Sequence, residues 1–272
     1  MNMECLLPDT IPDSPAFHTV AVTTVRHWND HLFSFSVERP GSFRFRSGEF
    51  VMLGLPQDGG KPLLRAYSIA SPAWADELDF LSIKVPGGPL TSRLKSVRPG
   101  DQLYLGRKPT GTLVADALLG GKRLFLLSTG TGLAPFLSIA RDPEIYSRFE
   151  QVVVVHSVRR VSDLAYHDQQ TALWADDPLI HEEAAVQFYY VPTVTREPFH
   201  TTERIGTLVE NGGLFPNTLD GPRRFDPEQD RIMLCGSMAM IRETSAMLEK
   251  LGFVEGSNSR PGTYVIERAF VD

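Results

Sequence analysis

Up to Gly111 the apolar positions fall in short alternating or β-branched runs: Thr19 to Arg26, Leu32 to Arg39, Glu49 to Leu55, Leu64 to Ala70, Leu78 to Val85 and Gln102 to Gly106. Alternation with period two marks strands, and the Gly, Pro and Asp-rich segments between them mark turns. Asn29-Asp30 joins the first two runs as a hairpin. Regular short strands of this kind predict an antiparallel β-barrel, with Leu90 to Val97 as its one short helix. Beyond Gly111 the pattern changes. Arg123 to Ser128, Gln151 to His156, Val186 to Val191, Arg231 to Cys235 and Tyr264 to Ile266 are continuous apolar runs, and Leu133 to Ala140, Leu164 to Trp174 and Met240 to Leu251 carry helical spacing between them. Strands apolar on both faces that alternate with helices predict a doubly wound parallel α/β sheet. The expected organisation is a leader over residues 1–17, a barrel over 18–117 and an α/β domain over 118–272.

The length of 272 residues suits two such domains. The net charge of −6 argues against a general nucleic-acid binder, which needs a basic face to release counterions. The acidity is uneven. Up to Asp116 there are 12 basic and 12 acidic residues, so the remaining 15 and 21 place the deficit in the second domain. The barrel can therefore present a basic patch to an acidic partner. Cys5 and Cys235 make neither a disulfide framework nor a metal spacing. The segment Met1 to Phe17 lacks Lys and Arg and fits no signal or transit peptide. No apolar run approaches the ~20 residues of a membrane span, so a cytoplasmic protein is expected; a monomer is the expected state, though no residue pattern argues it.

Two stretches carry candidate chemistry. Arg65-Ala66-Tyr67-Ser68, inside a strand closed by Ser71-Pro72, offers a guanidinium, a phenol and a hydroxyl within four residues. Alternation places Arg65 and Tyr67 on one face, where a planar fork can take phosphate oxygens and an aromatic plate can lie against a flat heterocycle. Taken alone, the same stretch also describes an ordinary barrel strand. The second stretch, Ser128-Thr129-Gly130-Thr131-Gly132-Leu133-Ala134-Pro135, is a strand end, a glycine turn and a helix start, and such a turn lets backbone N–H groups approach a pyrophosphate. Pro135 and Phe136 stand where the final glycine of the usual fingerprint is looked for. Ligands of open α/β sheets lie beyond the carboxyl ends of the strands, where Arg159, Arg196 and Arg204 are expected to gather. Arginines there favour a 2′-phosphate, hence NADPH, over the diol-binding acid of an NAD site, unless they are simply solvated. Cys235 reads as a small core residue sooner than as a nucleophile, since no His or Asp with triad logic accompanies it, and Gly236 after it can let a nicotinamide come close.

These motifs in this order, with Ser82-Ile83-Lys84-Val85, Gly88-Pro89-Leu90-Thr91-Ser92, Cys235-Gly236-Ser237 and the ending Ile266-Glu267-Arg268-Ala269-Phe270-Val271, resemble the ferredoxin–NADP⁺ reductase family, and most closely its bacterial ferredoxin or flavodoxin reductases. The resemblance runs from about Val20 to the last residue. It implies FAD on the barrel, with Tyr67 against the flavin ring, Arg65 on the pyrophosphate, Ala66 among the FAD-binding residues, and Ser68 near the flavin nitrogen that receives the hydride. It also implies that Ile83, Lys84 and Val85 line the flavin, that the N–H groups of Leu90, Thr91 and Ser92 meet the pyrophosphate, and that Thr131 and Cys235 flank the nicotinamide. Thr129, Gly130, Thr131, Gly132 and Gly236 then hold NADP(H), with Arg159, Arg196 and Arg204 at its 2′-phosphate. Glu267 corresponds to the family's carboxylate near the flavin. Plant-type members end in a tyrosine stacked on the flavin, whereas here Ala269 is expected against the ring and Phe270 against the adenine. The implied activity is electron exchange between NADPH and a ferredoxin or flavodoxin. A flavin reductase, the reductase arm of an oxygenase and a non-catalytic nucleotide-binding module are its rivals.

Overall fold

The computed structural model describes residues 11–12, 14–57, 61–164 and 176–268. The first domain is an antiparallel sheet of β1 (Phe17–His27), β2 (Leu32–Glu38), β3 (Phe50–Leu55), β4 (Leu63–Ser68), β5 (Glu77–Ile83) and β6 (Gln102–Gly106), in the order β4-β3-β6-β1-β2-β5. A bridge between Ile69 and Phe80 draws the two outer strands together and nearly closes the barrel. The alternation read from sequence supplies its core: Phe33, Phe35, Val51, Leu53, Phe80 and Leu105 all point inward and are buried. The short helix α1 (Thr91–Leu94) caps this core with Leu94, flanked by Leu90 and Val97.

The second domain is a parallel sheet in the order β11-β10-β7-β8-β9, with β7 (Arg123–Thr129), β8 (Gln151–Val158), β9 (Phe188–Val194), β10 (Asp230–Gly236) and β11 (Tyr264–Arg268). Successive residues of its strands enter different cores. Leu124, Leu126, Val152 and Val154 join one layer, whereas Phe125, Leu127, Val153 and Val155 join the other. Helices α2 (Ala134–Ile139), α3 (Pro143–Arg148) and α4 (His181–Gln187) cover the first layer, and α5 (Ile205–Glu210) and α6 (Met238–Lys250) the second. The chain runs from β7 outward through β8 to β9, then returns to the other side of β7 as β10. This reversal between β7 and β10 is the crevice in which such sheets bind ligands.

The first layer is also the seam between the domains, since Leu32, Ala70 and Leu81 of the barrel pack within it. Polar contacts reinforce the seam: the Asn29 side-chain amide donates to the Ser162 carbonyl at 2.8 Å, and the Asn258 side-chain amide donates to the Gly111 carbonyl at 2.9 Å.

Several boundaries differ from the periodicity. The strand expected at Val186 to Val191 begins at Phe188, because His181 to Gln187 forms α4 and leaves Val186 exposed. A β-branched residue at the end of a short helix reads locally as the start of the strand that follows. The helix over Leu90 to Val97 contracts to α1, and α3, α4 and α5 are too short for the periodicity to register. The helix expected at Leu164 to Trp174 lies largely outside the described residues. The expected leader is anchored at its end. Ile11 is buried with its N–H on Gln102 Oε1 at 2.9 Å, Tyr104 donates to the Pro12 carbonyl at 2.7 Å, and Phe17 already belongs to β1. Among the described residues no helix is long and apolar enough to cross a membrane.

Candidate active site

β3 fixes β4 through an unbroken antiparallel register, Phe50 against Ser68 and Val51 against Tyr67. Tyr67 turns into the barrel, where its ring meets Phe35 and Phe80 edge-on at 6.1 Å and its hydroxyl lies 3.0 Å from Ser82 Oγ. Burial pushes its phenol up, offset in part by that hydrogen bond and by the charge of Arg65. Arg65 remains exposed and donates to the Leu64 carbonyl at 2.8 Å. A cavity of about 650 Å³ opens beside this strand, and Arg65, Ala66, Tyr67 and Ser68 all line it. Strict alternation assigns Ser68 to the other face or the strand edge, but the cavity wraps around the end of β4 and reaches both sides. Ile83 and Val85 form its next wall, followed by Leu90 and Thr91 at the start of α1.

The opposite side belongs to the second domain. Thr131, from the turn between β7 and α2, lines the same cavity, as do Ala134, Ile266 and Glu267. Burial raises the Glu267 carboxyl to about 7; the N–H groups of Thr112, at 3.2 Å from Oε2, and of Leu113 pull it down, and the nearby Glu49 pushes it up. Glu49 is itself buried and paired with Arg46 at 3.0 Å. Thr112 also donates its hydroxyl to the Ile266 carbonyl at 2.6 Å, so one residue of the inter-domain segment holds both Ile266 and Glu267.

At the switch point, the Ser237 N–H donates to Thr129 Oγ1 at 2.8 Å and ties the end of β7 to the end of β10. Gly236 sits at φ +152°, and a Cβ there would collide with Thr129 Oγ1, so the approach of the two strand ends requires glycine. Gly132 packs against the backbone of Cys235. Beyond β8 and β9, the Arg196 N–H donates to the Arg159 carbonyl at 3.0 Å, and Arg204 caps α5. All three arginines are exposed, and none forms an ion pair among the described residues.

Of the described residues expected around FAD or beside the nicotinamide, three do not reach the cavity wall, and those expected along the rest of NADP(H), Thr131 apart, do not line it either. Cys235 is buried in the seam core beside its register neighbours Ser128 and Glu267, and burial with the Glu267 charge pushes its thiol well up. It packs there as a small residue of that core. Lys84 bends away to donate from Nζ to the Asn29 carbonyl at 2.7 Å, because the hairpin turn offers it an acceptor. The Ser92 N–H is taken by the Gly88 carbonyl at 3.0 Å. Ala269 and Phe270 lie outside the described residues. The lining residues Phe50 and Leu81 carry no sequence signal beyond that of any apolar strand, whereas Ser82, Gly88, Pro89 and Ile266 fall inside motifs already quoted.

Residues 18–114 match the oxidoreductase FAD-binding domain family and residues 126–246 the oxidoreductase NAD-binding domain family. The chain is 51% identical over 266 residues to the flavodoxin/ferredoxin–NADP reductase of Rhodobacter capsulatus, covering 97% of this chain and 98% of that one. It belongs to the ferredoxin–NADP reductase family. Another family member, the ferredoxin–NADP reductase of Pseudomonas aeruginosa, is 51% identical over 94% of this chain and 98% of its own. Among solved structures, a ferredoxin NADP⁺ reductase from Neisseria gonorrhoeae with bound FAD and NADP superposes with a TM-score of 0.84 at 32% identity, covering 94% of this chain and all of that one.

Proposed function

We propose that this reductase-family chain is an FAD-dependent enzyme that exchanges electrons between NADPH and a ferredoxin or flavodoxin. The observation that carries this is the cavity of about 650 Å³ shared by the two domains, with a cation and an aromatic plate on the barrel side and a raised carboxyl on the other. Its size lies within the range of cofactor sites. Its wall suits a flavin: Ile83, Val85 and Tyr67 are apolar or aromatic where a flat ring requires it, and Arg65 is an exposed guanidinium without an ion pair among the described residues where a pyrophosphate does. Bound there, FAD supplies the redox chemistry, taking two electrons from NADPH and passing them on one at a time.

The chain itself binds, orients and excludes water. Tyr67, locked by Ser82 and two phenylalanines, presents a fixed surface to one side of the ring, while Ser68 offers a hydroxyl beside it. Leu90 and Thr91 receive the pyrophosphate end together with Arg65. With its carboxyl at about 7, Glu267 holds a proton at its oxygens near neutral pH and can release it there. The Thr129 to Gly132 turn and Gly236 bring backbone to the pyridine dinucleotide, and Arg159, Arg196 and Arg204 receive its 2′-phosphate. An acidic carrier would dock on the charge-balanced barrel half beside the mouth of the cavity. The working form is a cytoplasmic monomer.

The test is anaerobic addition of NADPH to the FAD-loaded protein, followed by a ferredoxin or a flavodoxin. The flavin should bleach and the carrier should then be reduced. A bound flavin that stays yellow would leave a nucleotide-binding module as the better account, and bleaching without transfer to either carrier would favour a flavin reductase.

A further inference from the structure

His156 is almost fully buried near the end of β8, directly beneath the glycine turn. Its Nε2 lies 3.2 Å from the Gly130 carbonyl oxygen, and its Nδ1 lies 2.9 Å from the Tyr190 hydroxyl. A carbonyl only accepts, so Nε2 carries the proton, and in the neutral ring Nδ1 then accepts from the tyrosine. The sheet enforces this pairing. His156 is in register with Pro192 of β9, and Tyr190, two residues earlier, presents its side chain to the same face.

The Gly130 carbonyl has a consequence one atom further on. No peptide bond among the described residues is cis, so the Gly130–Thr131 peptide holds its C=O and N–H on opposite sides. With the carbonyl drawn down to His156, the Thr131 N–H faces away from the sheet. The turn is also open beside the glycine itself, where a Cβ built on Gly130 would meet nothing within 4 Å. Gly130 sits at φ +55°, in a region that only glycine enters freely, and a glycine without an anchor can rotate its peptide plane. We propose that His156, held by Tyr190, is a positioning residue for the pyridine dinucleotide, fixing the Gly130–Thr131 peptide so that the Thr131 N–H meets the pyrophosphate. This rests on the dinucleotide reading of the turn.

The experiment compares NADP⁺ with 2′-AMP, which keeps the 2′-phosphate and lacks the pyrophosphate, by calorimetric titration of the FAD-loaded protein. His156→Leu should weaken NADP⁺ about tenfold, the loss of one well-placed donor, and leave 2′-AMP unchanged. In turnover the KM for NADPH should rise while kcat holds. His156→Gln, whose amide can donate to the same carbonyl, should restore most of the affinity. Should His156→Leu fail to fold, Tyr190→Phe decides, with about threefold weaker NADP⁺ and unchanged 2′-AMP expected. Unchanged NADP⁺ affinity, or equal losses for both ligands, overturns the positioning role. Wild-type protein that binds neither ligand would overturn the dinucleotide reading and this role together.

Discussion

Glu267→Gln should make the protein more stable at alkaline pH and leave it nearly unchanged at acid pH. The wild-type carboxyl has an ordinary value of 4.5 and is raised to about 7 in the fold, chiefly by burial, so between those values the folded state holds a proton that the unfolded chain releases. Stability therefore falls as pH rises through this window and is level on either side of it. At 1.36 kcal/mol per pH unit, the ionised carboxyl costs roughly 3 kcal/mol at pH 8.5 and under about 1 kcal/mol at pH 5. Gln keeps an acceptor for the Thr112 N–H and carries no charge, so the variant is free of this cost. Urea denaturation of both proteins with saturating FAD at pH 5, 7 and 8.5 reads the difference directly. A stability difference independent of pH, or one largest at pH 5, would refute the reasoning. Glu49→Gln supplies a cross-check, since removing the neighbouring negative charge should lower the Glu267 value and narrow the window.

Two further outcomes are expected. Arg196→Ala should raise the KM for NADPH about tenfold while changing that for NADH little, because the lost charge-assisted contact is to the 2′-phosphate alone; parallel steady-state kinetics check it, and equal losses for both coenzymes would count against the assignment. Asp230→Asn should destabilise the second domain by about 3–5 kcal/mol, because Arg123, bonded to Asp230 at 2.6 and 2.7 Å and buried under the Asp220, Pro222 and Arg224 carbonyls, would be left with a buried charge uncompensated. Thermal or urea unfolding measures it, and a change under about 1 kcal/mol would show that those carbonyls suffice.

Much of the molecule was legible in the sequence where the signal is local. The barrel strands declare themselves by period two, and β7, β8 and β10 by continuous apolar runs whose residues enter two different cores. The stretch Arg65 to Ser68 and the glycine turn are local in the same sense, since a strand or a tight turn places its own side chains and N–H groups whatever surrounds it. Chain order then fixes which domain supplies which half of the site. The misplaced start of β9 has the same origin: Val186 is β-branched and next to a strand, and only packing makes it the exposed end of a helix.

What remained hidden depends on neighbours far away in sequence. Cys235 follows an apolar run whether it faces a ligand or a core, and only the register with Ser128 and Glu267 places it in the buried seam. Lys84 shares its strand with two cavity residues, yet an acceptor at Asn29 draws it off. Glu267 shows no unusual proton affinity until the barrel segment Gly111 to Leu113 and Glu49 close over it. His156 looks like one more residue in a strand until the sheet sets it between Tyr190 and Gly130. The amino-acid order by itself determined the two kinds of domain, most of their strands and the motifs proposed to hold the cofactors, because these follow from periodicity and backbone conformation within a few residues. The docking of the domains and the order of strands in the sheet decided which side chains reach the cavity and with what charge, because burial, register and hydrogen-bond partners are properties of the assembled fold.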